Sequence, residues 1–221
     1  MQLLLLPLRL VASLAGCLAA PADTAASGTI AWSGYVYTGP QDDVDYTDGD
    51  AGISFTADDA EPVAATAPYP DYPGYWSANV PPSTLVTVRV ETDPPAVWRV
   101  TTPDRDASWF RGALLGAEAS EIDALLAGLG APARGSSAMV IGSPWDDGWD
   151  CANVRVAGTV PLCFVVDSTG VVTPVDSGDI SYFVAPEVPA GAVDVESGLG
   201  GVSTYTLAEG EVGMAFWFVG K

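Results

Sequence analysis

The sequence has 221 residues and a formal net charge of −20, with 28 acidic residues against eight lysines and arginines and no histidine. A field of this sign repels nucleic acid and anionic lipid headgroups, so the usual basis for binding a phosphate backbone is absent. Without histidine, catalytic triads in their usual form are excluded. With 48% hydrophobic residues the chain can still build folded domains, so disorder is not expected.

The first residues of the chain form a short apolar run with one positive charge. The run begins at Leu3, contains Arg9 and ends in small residues before Cys17. A basic residue, a short apolar segment and small residues are the parts of an export signal, and this run is too short, and too interrupted by Pro7, to span a bilayer. We therefore predict that residues 1–16 are a signal peptide that is removed.

The end of this run, Leu14-Ala15-Gly16-Cys17, resembles the lipobox, the processing site of bacterial lipoproteins. The resemblance implies that Cys17 is acylated, becomes the new N-terminus and anchors the protein to a membrane. Residues 17–27 are then the acylated cysteine and a flexible spacer. Leu18, in place of aspartate, resembles lipoproteins sent to the outer membrane, which implies a Gram-negative cell envelope. The alternative is an ordinary secretory signal in which Cys17 is incidental.

Residues 28–117 alternate apolar and polar positions in short stretches, separated by clusters of proline, glycine and aspartate. Several short strands at such close spacing are typical of a small antiparallel sandwich. We therefore predict a first β-sandwich over this range. Its strands are expected within residues 29–37, 52–56, 74–80, 84–91 and 96–101.

The densest acidic segment of the chain falls between the first two predicted strands. Calcium favours several oxygen ligands from a short flexible loop, but an EF-hand loop that started at Asp43 would need glycine where Asp48 stands. Two interpretations stay open, a solvated loop and a calcium site, and no other cofactor is predicted. The candidate calcium ligands are Asp42, Asp43, Asp45, Asp48 and Asp50.

A proline-rich segment at residues 68–73 carries flat aromatic rings. It is too rich in proline for a central strand, so some rings are expected to face solvent, where they could stack on a sugar. The candidate ligand-binding residues are Tyr69, Tyr72 and Trp76. The alternative is packing, because alternation over residues 75–80 turns one aromatic ring inward.

Residues 118–137 are predicted to be a helix and a linker. Ser120 has the character of an N-cap, and Gly128 and Gly130 mark the end of the helix. The apolar residues recur at helical spacing and share one face, which indicates a helix that packs on a sandwich. They are Ile122, Leu125, Leu126 and Leu129.

Two cysteines, Cys151 and Cys163, remain once Cys17 is acylated. An exported chain lies where disulfides persist, so we predict that they are bonded to each other. A hairpin folded about Ala157 would put them opposite each other, with Val154 facing Val160 on the core side. A metal site is the weaker alternative, since the chain has no histidine and no third free thiol.

Both halves contain an aromatic strand, a turn after a Val-Pro pair and a second alternating strand. The first has Val80-Pro81-Pro82 followed by Val86-Thr87-Val88, and the second has Val188-Pro189-Ala190-Gly191 followed by Val193-Asp194-Val195. We predict the same hairpin in each half. The pattern resembles the carboxypeptidase regulatory-like domain, a transthyretin-like β-sandwich, and the resemblance is best over residues 138–200. It implies a fold and no particular activity.

The predicted fold class is all-β: two small antiparallel Greek-key-type β-sandwiches, residues 28–117 and 138–221, joined by a short helix. The predicted function is non-catalytic, that of a lipid-anchored cell-envelope protein acting as a surface binding or structural module. The expected partners are the membrane, through the lipid, and a glycan or another envelope protein, with no nucleic acid. Two alternatives stay open, a carbohydrate or cell-wall binding module with solvent-facing aromatic rings and a carboxylate-based glycoside hydrolase.

Overall fold

The computed structural model describes residues 28–37, 52–57, 63–64, 75–102, 111–115, 118–143, 150–167, 171–196 and 201–216. The predicted signal peptide and spacer lie outside these ranges. The described residues before position 130 form seven strands and a helix: β1 (Ile30–Tyr37), β2 (Ile53–Ala57), β3 (Val63–Ala64), β4 (Tyr75–Val80), β5 (Leu85–Val90), β6 (Ala96–Thr101), β7 (Arg111–Leu115) and α1 (Ala119–Gly128).

The remaining described residues form eight further strands and a single 3-10 turn at Cys151–Asn153. The strands are β8 (Ala138–Ser143), β9 (Arg155–Val156), β10 (Leu162–Val166), β11 (Val172–Val175), β12 (Tyr182–Val188), β13 (Gly191–Glu196), β14 (Val202–Leu207) and β15 (Val212–Phe216). The described structure is therefore all-β apart from α1 and the 3-10 turn, as the alternating pattern predicts. No helix within the described ranges is long and apolar enough to cross a membrane.

The strands form three sheets. Sheet 1 has the order β4-β1-β7, sheet 2 has nine strands in the order β11-β10-β12-β8-β15-β6-β5-β2-β3, and sheet 3 has the order β14-β13-β9. Sheet 2 is shared by both halves of the chain, because β15 lies between β8 and β6 and runs parallel to both. The predicted sandwich layers are confirmed, but the pairing is not purely antiparallel, and the sheet itself is not divided at residues 118–137.

The described residues form two hydrophobic cores, and adjacent residues of one strand can belong to different cores. The first contains apolar residues of sheet 1, helix α1 and one face of sheet 2, and the second contains those of sheet 3 and the other face of sheet 2. Trp98 belongs to the first core and its neighbour Val97 to the second, and both are almost fully buried. Sheet 2 is thus the middle layer, because successive side chains of a strand point to opposite faces.

The two turns after the Val-Pro pairs do not close hairpins. The first joins β4 of sheet 1 to β5 of sheet 2, and the second joins β12 of sheet 2 to β13 of sheet 3. Each half does have a turn at the predicted position, but the turn connects two sheets and is not part of a hairpin. At these turns the chain crosses from one layer to the next. Both strands can then bury alternate residues in the same core between the layers, which a flat hairpin would not do.

The segment between the cysteines also differs from its prediction. Ala157 and Gly158 both have positive φ values, 50° and 77°, and form a two-residue turn that brings Val156 to Thr159. Pro161 then has no N–H to continue a ladder, and β9 and β10 belong to different sheets. Consequently Val154 is buried whereas Val160 is 51% exposed, so their predicted pairing is wrong.

Helix α1 presents the predicted face to the first core. Ile122 and Leu126 are buried, and Leu125 and Leu129 are partly buried against them. The helix starts two residues earlier than expected, with Glu118 and not Ser120 at the N-cap position and no side-chain cap. Ser120 therefore lies inside the first turn, and the burial of the apolar face, not capping, positions the helix.

Candidate interaction surface

The face of sheet 2 that turns away from the first core carries a patch of polar side chains on β2, β5 and β6. We call this patch, Ser54, Thr56, Thr87, Arg89 and Arg99, the arginine face. In register, Thr56 lies opposite Thr87, Ser54 opposite Arg89, and Thr87 opposite Arg99. All five are partly exposed. The face follows from strand alternation, since Val86, Val88 and Val90 occupy the buried positions of β5.

Arg89 is held in place by Glu211, which precedes β15. Arg89 Nη2 lies 2.9 Å from Glu211 Oε1 and 3.0 Å from Oε2, and Oε2 also accepts a hydrogen bond of 2.8 Å from the Ala208 N–H. The Glu211 side chain is 10% exposed and that of Arg89 43%. Glu211 is therefore a positioning group that ties the turn before β15 to the arginine face.

Arg99 is the second cation of the face and has a different environment. Its Nη1 donates a 2.9 Å hydrogen bond to Thr87 Oγ1, and within the described part of the chain no carboxylate forms an ion pair with it. Burial raises the pKa of nearby Tyr205, and the positive charge of Arg99 opposes that rise. Arg99 lies in β6, the strand of sheet 2 that contacts β14 of sheet 3, and its guanidinium is one that a partner's carboxylate could neutralise.

Trp76, one of the three predicted ligand-binding aromatic residues, lies in the first core. It is 2% exposed, and its ring centroid is 5.3 Å from those of Trp32 and Phe55. It occupies an inward position of β4 and therefore cannot stack on a sugar in this structure, which corrects the prediction. Tyr69 and Tyr72 lie outside the described residues and stay predictions.

Other predicted sites also fall outside the described residues: Cys17 and the five candidate calcium ligands, Asp42, Asp43, Asp45, Asp48 and Asp50. Within the described ranges, no three side chains of the metal-binding types come together. The calcium interpretation therefore depends on the acidic segment alone and stays a prediction.

The predicted disulfide between Cys151 and Cys163 is present. Cys151 lies in the 3-10 turn that leads into β9 of sheet 3, and Cys163 lies in β10 of sheet 2, with both residues buried. The bond therefore fastens one end of sheet 3 to sheet 2, across the second core.

An acidic pair at the start of α1 gives a prediction for pH dependence. Burial, and secondly the charge of Glu118, raise the pKa of Glu121 to about 7 from 4.5. A raised pKa means that the folded state binds the proton more tightly, so this contribution to stability is complete below pH 4.5 and is lost as pH rises through 7.

We therefore expect Glu121→Gln to be more stable than the wild type at pH 8 and equal to it near pH 4. Glu121 is only half-buried, so solvent screening limits the gain to about 1 kcal/mol, or about 2–4 °C in Tm. Thermal melts at both pH values measure it. Asp123→Asn is the control, because Asp123 is exposed on the same helix. Equal gains for the two variants would contradict the assignment.

The arginine face was missed by sequence analysis. A signal was present, because Thr87 and Arg89 occupy the polar positions of Val86–Val90 in a chain with only eight basic residues. That pattern indicates an exposed strand face. It does not show that Glu211, 122 residues away, holds Arg89, or that Arg99 lies beside sheet 3.

No family model matches the sequence, and no curated protein is significantly similar to it. Among solved structures, the Bacillus anthracis TIE protein is 9% identical with a TM-score of 0.24, over 85% of this chain and 34% of that one. A streptococcal ancillary pilin is 10% identical with a TM-score of 0.25, over 85% of this chain and 67% of that one. The chain spans about a third of the first structure. At these scores the architecture rests on the strands described above.

Proposed function

We propose that the protein is a non-catalytic, lipid-anchored module of the bacterial cell envelope that presents a binding surface outside the cytoplasm. The observation that carries the proposal is the buried disulfide Cys151–Cys163, since such bonds persist in exported proteins. The export signal and the lipobox-like sequence before Cys17 agree with it. The lipid provides the location, and the folded sheets provide the surface.

The packing supports a structural role for the chain. Sheet 2 runs without a break from β11 in the second half to β3 in the first, and a core lies on each of its faces. A continuous hydrogen-bonded layer of this kind joins both halves of the chain in one sheet. A charged group beside the arginine face also stabilises the fold, because the Glu211 carboxylate pairs with Arg89 and accepts a hydrogen bond from the Ala208 N–H.

Lipid attachment is the first test. When the full chain is expressed in a Gram-negative host fed an alkyne-labelled fatty acid, we expect label on the protein and a mature N-terminus at Cys17. The variant Cys17→Ala should carry no label and should not have a mature N-terminus at position 17. Mass spectrometry of the N-terminal peptide and click detection on a gel give both readouts.

The disulfide gives a separate readout in the same material. Cys151 and Cys163 should be protected from iodoacetamide until a reductant is added, in the wild type and in Cys17→Ala alike. A wild-type chain that retains Met1, or one whose Cys151 and Cys163 are alkylated without reduction, would contradict the proposed location.

A further inference from the structure

Strand β14 has one open edge in the described structure. It is the end strand of sheet 3, and its pairing with β13 places Thr204 opposite Asp194. The Asp194 carbonyl accepts a 2.9 Å hydrogen bond from the Ala157 N–H, on the β9 side of β13. Thr204 and Asp194 are therefore a non-hydrogen-bonded pair of the antiparallel ladder, and the Thr204 N–H and C=O point to the open edge. By alternation, those of Val202 and Thr206 do the same.

This edge lacks the features that usually protect an exposed strand. Sheet edges are commonly shortened or interrupted by proline or charge, which prevents pairing with another chain. The end strand β11 contains Pro174, and the end strands β3 and β9 have two residues each. In contrast, β14 has six residues, Val-Ser-Thr-Tyr-Thr-Leu, with no proline and no charge, a character that it shares with β4 at the end of sheet 1, and Val202 of β14 is 61% exposed.

The open edge of β14 points toward the arginine face. The Tyr205 hydroxyl donates a 3.1 Å hydrogen bond to the Met214 carbonyl, and the Leu207 side chain lies against Gly213, so β14 lies over β15 of sheet 2. The other end of sheet 3 is fastened to β10 by the disulfide. Sheet 3 therefore extends from β10 to β15 across sheet 2. A strand added to β14 would continue in the same direction, over β6 and β5.

We propose that β14 binds an extended segment of a partner protein, which adds a strand to sheet 3 and turns a carboxylate side chain toward Arg99. Main-chain groups of Val202, Thr204 and Thr206 supply the hydrogen bonds, as in other cases of strand addition. The charge follows from the surroundings, because Arg89 already has Glu211 as its partner, while Arg99 has only the Thr87 hydroxyl among the described residues. A second copy of the chain is the other occupant, which the test below distinguishes.

The proposal gives the surface module a partner class, and so it rests on the proposed function. Peptide binding by the purified chain does not depend on the lipid, so anchoring and strand addition can fail separately. The probe is a displayed library of random ten-residue peptides, selected on the intact chain. We expect the enriched peptides to alternate β-forming residues and to carry aspartate or glutamate. On binding, the amides of Thr204 and Thr206 should become protected from hydrogen exchange.

Two variants test the two parts of the proposal, the main-chain hydrogen bonds and the cation. Thr204→Pro removes an outward N–H without removing a backbone hydrogen bond to β13, although it loses the hydrogen bond from the Thr204 hydroxyl to Asp194, as Thr204→Val also does. Arg99→Gln removes the cation. Each should weaken an enriched acidic peptide about tenfold or more, measured by fluorescence anisotropy. The matched controls are Thr204→Val, which keeps the N–H, and Arg134→Gln, which makes the same change in net charge. Both controls should bind within about twofold of the wild type.

Several results would overturn the proposal. They are the absence of any enriched peptide, enrichment of lysine-bearing peptides, and wild-type affinity in Thr204→Pro. Sedimentation that shows a dimer lost in Thr204→Pro would make a second copy the occupant instead. If Thr204→Pro does not fold, amide protection in the wild type decides, since peptide binding that leaves Thr204 and Thr206 unprotected contradicts strand addition.

Discussion

Replacing Trp98 with alanine is expected to lower the free energy of unfolding by about 3–5 kcal/mol, the usual cost of removing a fully buried large aromatic side chain. Trp98 is 1% exposed and lies in β6, which pairs with β5 on one side and with β15 on the other. The cavity would open at the strand where the two halves of sheet 2 meet. Both halves should therefore lose stability together, with a fall in Tm of about 10 °C.

Urea unfolding followed by circular dichroism and by fluorescence measures this effect. A single coincident transition that shifts as a whole is the expected result, because the halves share sheet 2. Leu85→Ala is the control, since Leu85 is 38% exposed on the neighbouring strand, and its cost should be below about 1 kcal/mol. Two transitions, with only one of them sensitive to Trp98→Ala, would show that the halves unfold independently and would contradict this account.

Removing the disulfide with the double variant Cys151→Ala and Cys163→Ala is expected to cost about 3 kcal/mol. The bond closes a loop between residues 12 apart in the sequence. In the chain-entropy account, a crosslink over a loop of this size raises the free energy of unfolding by about 3 kcal/mol, because it restricts the unfolded chain. The fall in Tm should be about 6–12 °C. Thermal melts of the double variant and of the wild type measure it.

The double variant leaves no unpaired thiol at the site, so an effect of a free cysteine is avoided. Reduction of the wild type should reproduce the loss, and Cys17→Ala should not change the Tm. If the double variant melted like the wild type, the packing of the second core alone would hold sheet 3 on sheet 2. The proposed fastening role of Cys151 and Cys163 would then be wrong.

Short-range patterns predicted much of this structure. Alternation located most of the strands in the described part of the first half, for example β5, where Val86, Val88 and Val90 alternate with Thr87 and Arg89. Helical spacing identified the buried face of α1 at Ile122 and Leu126. The disulfide followed from counting cysteines in an exported chain. These features depend on neighbours within a few residues, or on the compartment, and so the sequence carries them directly.

The failures share a physical cause, which is that strand alternation does not specify a partner strand. The segments around Ala157 were predicted to form one hairpin, yet β9 and β10 belong to different sheets. Trp76 was considered for an exposed platform because a proline-rich segment precedes it, but its position in β4 turns it toward Trp32 and Phe55. In both cases burial against distant strands decided the outcome.

The sequence by itself determined the all-β class, the strand and helix positions along much of the described chain, the pairing of Cys151 with Cys163 and the negative charge. Only the tertiary structure decided that β15 joins the two halves in one sheet, that Glu211 holds Arg89, and that β14 is an end strand of sheet 3 in contact with β6. Periodicity and composition are local properties of the chain. Sheet order and ion pairs depend on which distant segments bury the most apolar surface together, and no local pattern encodes that choice.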